Sequence, residues 1–216
     1  MTKQHIYQFY AELKFFKPKI WRRFQVTSDI TVAKLAYIIM TMFEMDASHL
    51  FDVEFLEPSI TYSGNQSKRM RVISHYGIPN LIEYDDDIKD ASKVKLSKLK
   101  LETYHRLVVW YDFGDDWRVS IKLEKILDER DIPFKELPRV LKGKGYGIID
   151  DCGGVGGLED IVKAFESKTG EDYEQYREWL GKDDFDITTF DLNDINERLK
   201  ELPSVFASAY ENWQDF

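Results

Sequence analysis

The stretch TYHRLVVWYDFGDDWRVSIKLEKILD, residues 103–128, constrains the fold most, because two long runs rich in β-branched and aromatic residues flank the short acidic segment DFGDD. Such runs on either side of a glycine-containing turn pair as a β-hairpin. An earlier alternation, QHIYQFYAELKFF, breaks at KPK and resumes as IWRRFQVT, which predicts a first hairpin. In its second run Ile20, Arg22, Phe24 and Val26 share one face, and Trp21, Arg23 and Gln25 share the other. Trp21 is therefore expected to cover a second apolar surface.

Between the hairpins, Val32, Leu35, Ile38, Ile39, Met42 and Phe43 recur at helical spacing behind Ser28 and Asp29, either of which suits an N-cap. This predicts a helix over residues 30–44, followed by a strand in SHLFDVEFLE. From Ser59 to Lys100 the pattern weakens, so mostly loop with short strands is expected there, with a helical turn in KVKLSKLKLE. Residues 133–157 are rich in Gly and Pro and read as irregular. GLEDIVKAFES, EDYEQYREWLG with Gly181 as C-cap, and DLNDINERLKEL then read as helices. The expectation is a single α+β domain over residues 1–216: a mostly antiparallel sheet with a β-β-α-β opening, a second long β-hairpin and C-terminal helices. Residues 1–130 are mainly sheet plus one helix, and 157–203 mainly helical.

Charge narrows the partners. Thirty-nine acidic against 30 basic residues give −9, which disfavours a protein held mainly by phosphate contacts. Cys152 is the only cysteine, so an intramolecular disulfide and a multi-cysteine zinc site are excluded, and a cytoplasmic location is expected. No run approaches ~18 uncharged apolar residues, so no membrane association is expected.

The candidate chemistry lies in acidic turns. Asp112, Asp115 and Asp116, joined by Asp150 and Asp151 from IIDDCGGVGG, could hold a divalent cation through carboxylate oxygens, the one cofactor the sequence suggests. The competing reading makes Asp112 and Asp115 acceptors for turn amides, with Gly114 at positive φ. Because the spacing misses the Asp-x-Asp-x-Asp-Gly calcium loop, the turn reading takes precedence. The glycines of DDCGGVGG lack a following Lys-Ser or Lys-Thr, which excludes a Walker phosphate loop and leaves close backbone approach to the hairpin as their role. Cys152, among acids, reads as a packed thiol. His5, His49, His75 and His105 show no ligand spacing. Trp21, Arg22, Arg23 and Trp117 form a candidate binding surface, and KRMR at 68–71 with Tyr62 a candidate nucleic-acid contact.

PKIWRR, HLFDVEF, YDFGDDW, DDCGGVGGLED and EWLGKDDFDITTFDLNDIN, in that order from about Tyr7 to Leu199, resemble the plasmid pRiA4b ORF-3-like family, also known as the passenger TnpR-like protein of an insertion element. The resemblance implies an α+β fold, carriage on plasmids and mobile elements as well as chromosomes, and no established activity. A recombinase is unsupported, since the early Arg22 and Arg23 lack a nucleophilic Ser beside them. The family pattern also places a His where Val119 stands, another near Ala36, and a Cys and two prolines that GIIDDCGG lacks.

These readings rank a non-enzymatic interaction module with a protein partner first, on the many aromatics of alternating strands. A metal-dependent hydrolase or nuclease using the aspartate cluster comes second. A DNA-binding accessory protein of a mobile element comes third. The second requires the 112–116 turn to meet the 150–154 loop.

Overall fold

A computed structural model describes residues 4–63, 66–78, 87–103, 105–128 and 132–211. Among the described residues eight strands form one sheet in the order β5-β4-β3-β6-β7-β1-β2-β8. They are β1 (His5–Leu13), β2 (Trp21–Thr27), β3 (Phe51–Ser63), β4 (Gln66–Gly77), β5 (Ile88–Asp90), β6 (Arg106–Tyr111), β7 (Trp117–Asp128) and β8 (Arg139–Lys144). Every pairing is antiparallel except β4 with β5. Among the described residues the helices are α1 (Val32–Met42), α2 (Gly154–Ser167), α3 (Glu171–Leu180), α4 (Leu192–Arg198) and α5 (Leu202–Glu211). The α+β class, the β-β-α-β opening and both hairpins are as the sequence predicts.

The sheet alternates as a half-solvated antiparallel sheet should. Phe9, Ala11, Phe24, Val53, Val109, Val119 and Ile121 are fully buried on the inner face, while Tyr10, Trp21, Arg23, Arg106 and Lys122 lie on the outer one. Val119 and Ala36, which stand where the family pattern has histidines, are both sealed in the core. Helix α1 starts at Thr31, whose side chain accepts the Lys34 amide at 3.0 Å, so the cap lies beyond Ser28 and Asp29. The helix is buried almost all round because the sheet lies on one side and α4 and α5 on the other. Gly181, at φ 62, closes α3 as expected.

Three expectations are corrected. Residues 59–100 are not mostly loop, since β3 and β4 run through Ser63 and from Gln66 as a long hairpin. The alternation there is weak because the hairpin extends past its neighbours, β6 pairing only with Phe51 to Leu56 of β3. Residues 133–157 contain β8, an edge strand paired with β2. A further helix, α5, follows DLNDINERLKEL. Pro203 lies in its first turn, where a missing amide costs nothing.

Candidate metal centre

The turn after β6 folds over its own backbone. Asp112 Oδ1 accepts the Gly114 amide at 3.0 Å, as an Asx turn does. The left-handed positions are Asp112 (φ 52) and Asp116 (φ 55), not Gly114 as the sequence suggests. Aspartate tolerates this conformation because its short side chain bonds locally.

The same turn meets the 150–154 loop. Asp115 Oδ2 accepts the Gly153 amide at 3.1 Å, capping α2 from outside its own segment. Asp116 turns away to Arg118 at 2.7 Å. Gly154, at φ +71, packs so closely that a Cβ there would lie 2.4 Å from the Asp115 carbonyl oxygen. The glycines therefore do permit close approach to the hairpin. Burial, aided by the Asp115 charge, pushes the Cys152 thiol up to about 12, and its sulfur donates to the Gly154 carbonyl, which suits a packed thiol.

The contact brings a histidine to the aspartates. His49 Nε2 lies 3.2 Å from Asp151 Oδ1 and 3.7 Å from Asp112 Oδ2. One ligand atom from each residue falls within 4.8 Å of the others, about the spread that ~2.0–2.2 Å metal bonds allow around one cation. The Nε2 atom is closed to solvent and makes no aligned hydrogen bond, so its burial is offset only by the Asp151 and Asp112 carboxylates or by a ligand held between them. Asp151, at 71% side-chain exposure, leaves one side open to water.

Two further carboxylates adjoin the triad with opposite tendencies. Asp150 Oδ2 accepts the Asp46 amide at 2.9 Å, while its Oδ1 is buried without a hydrogen-bond partner. Burial, reinforced by the Asp46 charge, raises the Asp150 carboxyl to about 6, although the nearby Tyr111 hydroxyl and His49 oppose the rise. Asp46 is also burdened by burial, yet bonds from the Ser48 hydroxyl and amide and from Tyr111 hold it below the usual carboxylate range. Tyr210 of α5 donates to the His49 carbonyl and fixes the strand entry that carries the ring.

Of the five aspartates proposed from sequence, Asp112 and Asp151 converge on His49, and Asp150 stands beside them. Asp115 and Asp116 bind a loop amide and an arginine instead. His49 carries no local signal beyond its place at the head of HLFDVEF. A second grouping, Asp52, Glu54 and His75, is partly self-satisfied: His75 Nδ1 lies 2.6 Å from Asp52 Oδ2, and Asp52 Oδ1 accepts the Tyr76 amide.

The candidate binding surface divides. Arg22 and Trp117 are fully buried and belong to no surface. Arg22 donates to the carbonyls of Met42, Trp21, Lys144 and Tyr146, and lies between the rings of Phe43 and Phe190. It therefore serves the backbone carbonyls around it. Burial lowers its guanidinium to about 10. Trp21 and Arg23 do share the outer face, where Arg23 is bidentate with Glu124 at 2.7 and 2.9 Å. The side chains of Tyr62 and of KRMR at 68–71 lie outside the described residues.

The family model for the plasmid pRiA4b ORF-3-like protein matches residues 5–194. The chain belongs to the pRiA4b ORF-3-like family. Uncharacterized protein y4hQ of Sinorhizobium fredii is 26% identical over 192 residues, 88% of this chain and 89% of that protein. The crystal structure of the protein of unknown function MM3350 from Methanosarcina mazei Go1 is similar at a TM-score of 0.73 and 30% identity, covering 89% of this chain and 98% of that one. These pRiA4b ORF-3-like relatives carry no established function. Among the described residues no helix is long and apolar enough to cross a membrane.

Proposed function

We propose that the protein is a metal-dependent hydrolase whose cation is held by His49, Asp112 and Asp151. The supporting observation is the solvent-closed His49 Nε2, without an aligned hydrogen bond, beside two carboxylates drawn from separate segments. One imidazole and two carboxylates suit Zn²⁺ or Mn²⁺. Three protein ligands with an exposed side leave a position for water, as catalytic sites do. A cation held there would supply a water of lowered pKa. Asp150, whose carboxyl burial raises to about 6 without a cation, would be the neighbouring group available to act as a base there.

Calorimetric titration with Zn²⁺ and Mn²⁺, followed by hydrolysis of bis-p-nitrophenyl phosphate, tests this reading. The expected result is one cation per chain, a loss of affinity of roughly a hundredfold in His49→Ala, and little change in Asp116→Asn. Equal binding by the wild type and His49→Ala would overturn the site. Tight binding without turnover of any ester would leave a cation centre and remove the hydrolase.

A binding role, ranked first from sequence, rests on a different surface. The outer sheet face presents Tyr10, Trp21, Arg23, Lys122 and Arg106 to solvent.

A further inference from the structure

The register of five adjacent strands aligns cations that are distant in sequence. Lys142 on β8 is opposite Arg23 on β2, and Arg23 is opposite Tyr10 on β1. Tyr10 in turn is opposite Lys122 on β7, and Lys122 is opposite Arg106 on β6. Directly opposed residues share a face, so these side chains form one row across the strands. At ~4.8 Å per strand the row is roughly 19 Å long.

Aromatic surface lies in the middle of this row. Tyr10 stacks on Trp21 at 5.4 Å and 27°, and the Arg23 guanidinium lies over both rings at 5.9 and 5.7 Å. A cleft of about 410 Å³ opens along the row and adds Lys14 and Lys19. Its two carboxylates are engaged: Glu12 with Lys19 and Tyr10, and Glu124 with Arg23 and Gln8. In a chain of net charge −9 this is segregation of charge rather than its average. The overall acidity that disfavours phosphate binding does not describe this face.

We propose that the outer face binds a single-stranded nucleic acid laid across the strands, its phosphates on Lys142, Lys122 and Arg106 of the row and a base on the Tyr10–Trp21 pair that Arg23 overlies. At ~3.4 Å per stacked nucleotide the row suits a segment of about five to six nucleotides. Cations alone would serve an acidic peptide equally well. The stacked aromatic pair with its arginine favours an occupant that has π-faces. This proposal does not depend on the cation centre.

Fluorescence anisotropy with labelled dT12 tests it, against a 12-bp duplex and a 12-residue polyglutamate. Saturable dT12 binding is expected at 50 mM salt, with log affinity falling against log salt at a slope of about −2 for three phosphate contacts. Arg106→Glu with Lys122→Glu should weaken binding at least tenfold, and Tyr10→Leu by roughly tenfold. Lys142→Glu, at an exposed edge position, gives the same reading should the double variant fail to fold. Absence of saturable dT12 binding, or binding unchanged by these reversals, would overturn the proposal. Polyglutamate or duplex binding as tight as dT12 would equally overturn it, reassigning the face to an acidic peptide or to double-stranded DNA.

Discussion

Asp115 accepts the amide of Gly153 at 3.1 Å, a bond that spans 38 residues and fastens the turn of the second hairpin to the start of α2. It holds together the two acidic segments whose meeting the sequence left open. Asp112 enters from the hairpin side and Asp151 from the loop side, so the candidate cation centre depends on a seam to which Asp115 contributes no cation ligand.

Gly154 tests that seam. Its φ of +71 and the 2.4 Å approach of a Cβ to the Asp115 carbonyl oxygen leave no room for alanine. Gly154→Ala should lose about 2–4 kcal/mol of stability, combining the left-handed cost with forced separation of the turn and loop. Cation affinity should fall with it. A urea midpoint within error of the wild type would show that the two segments do not depend on this contact.

Asp150 predicts a pH dependence. Burial raises its carboxyl to about 6 in the folded protein, against an ordinary ~3.9 once unfolded. Between these values the folded state holds a proton that the unfolded state has released, so this group's contribution falls as pH rises through about 6. Because Asp150 is only partly buried, the effect is discounted to about 1–2 kcal/mol. In cation-free buffer Asp150→Asn should be more stable than the wild type by that amount at pH 8, and equal to it at pH 4. A gain at pH 4 as large as at pH 8 would mean that relief of charge is not the cause.

The Cys152 thiol, pushed up to about 12 by burial and by Asp115, should be nearly inert. At pH 8 roughly one molecule in ten thousand carries the thiolate that reacts. Iodoacetamide should therefore label native protein very slowly and urea-unfolded protein within minutes. Comparable rates in the two states would contradict the packed thiol.

Elements with a local signature were legible in the sequence, and the centre itself was only half legible. Alternation flanking DFGDD and helical spacing from Val32 are properties of neighbouring residues, so both hairpins and α1 could be read directly. The left-handed turn positions fell to Asp112 and Asp116 because Gly114 occupies an ordinary conformation and only the bond to Asp112 Oδ1 reveals it. Helix α5 was missed although Pro203, Phe206 and Tyr210 are its buried side, since a proline reads as a stop unless it is recognised as first-turn. His49 could not be found at all by spacing. Its partners are brought to it by sheet register and by the glycine seam, both tertiary facts.

The two adjacent arginines of β2 should behave very differently. Arg22 is fully buried, and its replacement by methionine deprives the carbonyls of Met42, Lys144 and Tyr146 of their donor. A loss of about 3–5 kcal/mol is expected, because buried acceptors left unpaired are costly. Arg23 is 36% exposed in its pair with Glu124, so Arg23→Met should cost about 1 kcal/mol or less. Guanidinium chloride unfolding of the two variants side by side decides the matter. Equal losses would put the structural role of Arg22 in error.

Tyr210 braces the backbone of His49 in the candidate cation centre. Its hydroxyl donates to the His49 carbonyl, and its ring is held parallel to Tyr37 at 5.6 Å and edge-on to Phe51 at 5.1 Å. Tyr210→Phe keeps the ring and removes only the donor. The His49 backbone then loses one of the contacts that aim its Nε2 at Asp112 and Asp151. Stability should fall by about 1–2 kcal/mol, and Zn²⁺ or Mn²⁺ affinity by roughly tenfold, the scale at which outer partners tune a metal ligand. The affinity measurement separates the two roles. A residue that merely supports the fold would lower the melting temperature and leave the calorimetric dissociation constant unchanged in protein that is still folded, whereas a residue that orients His49 shifts that constant at temperatures far below the melt.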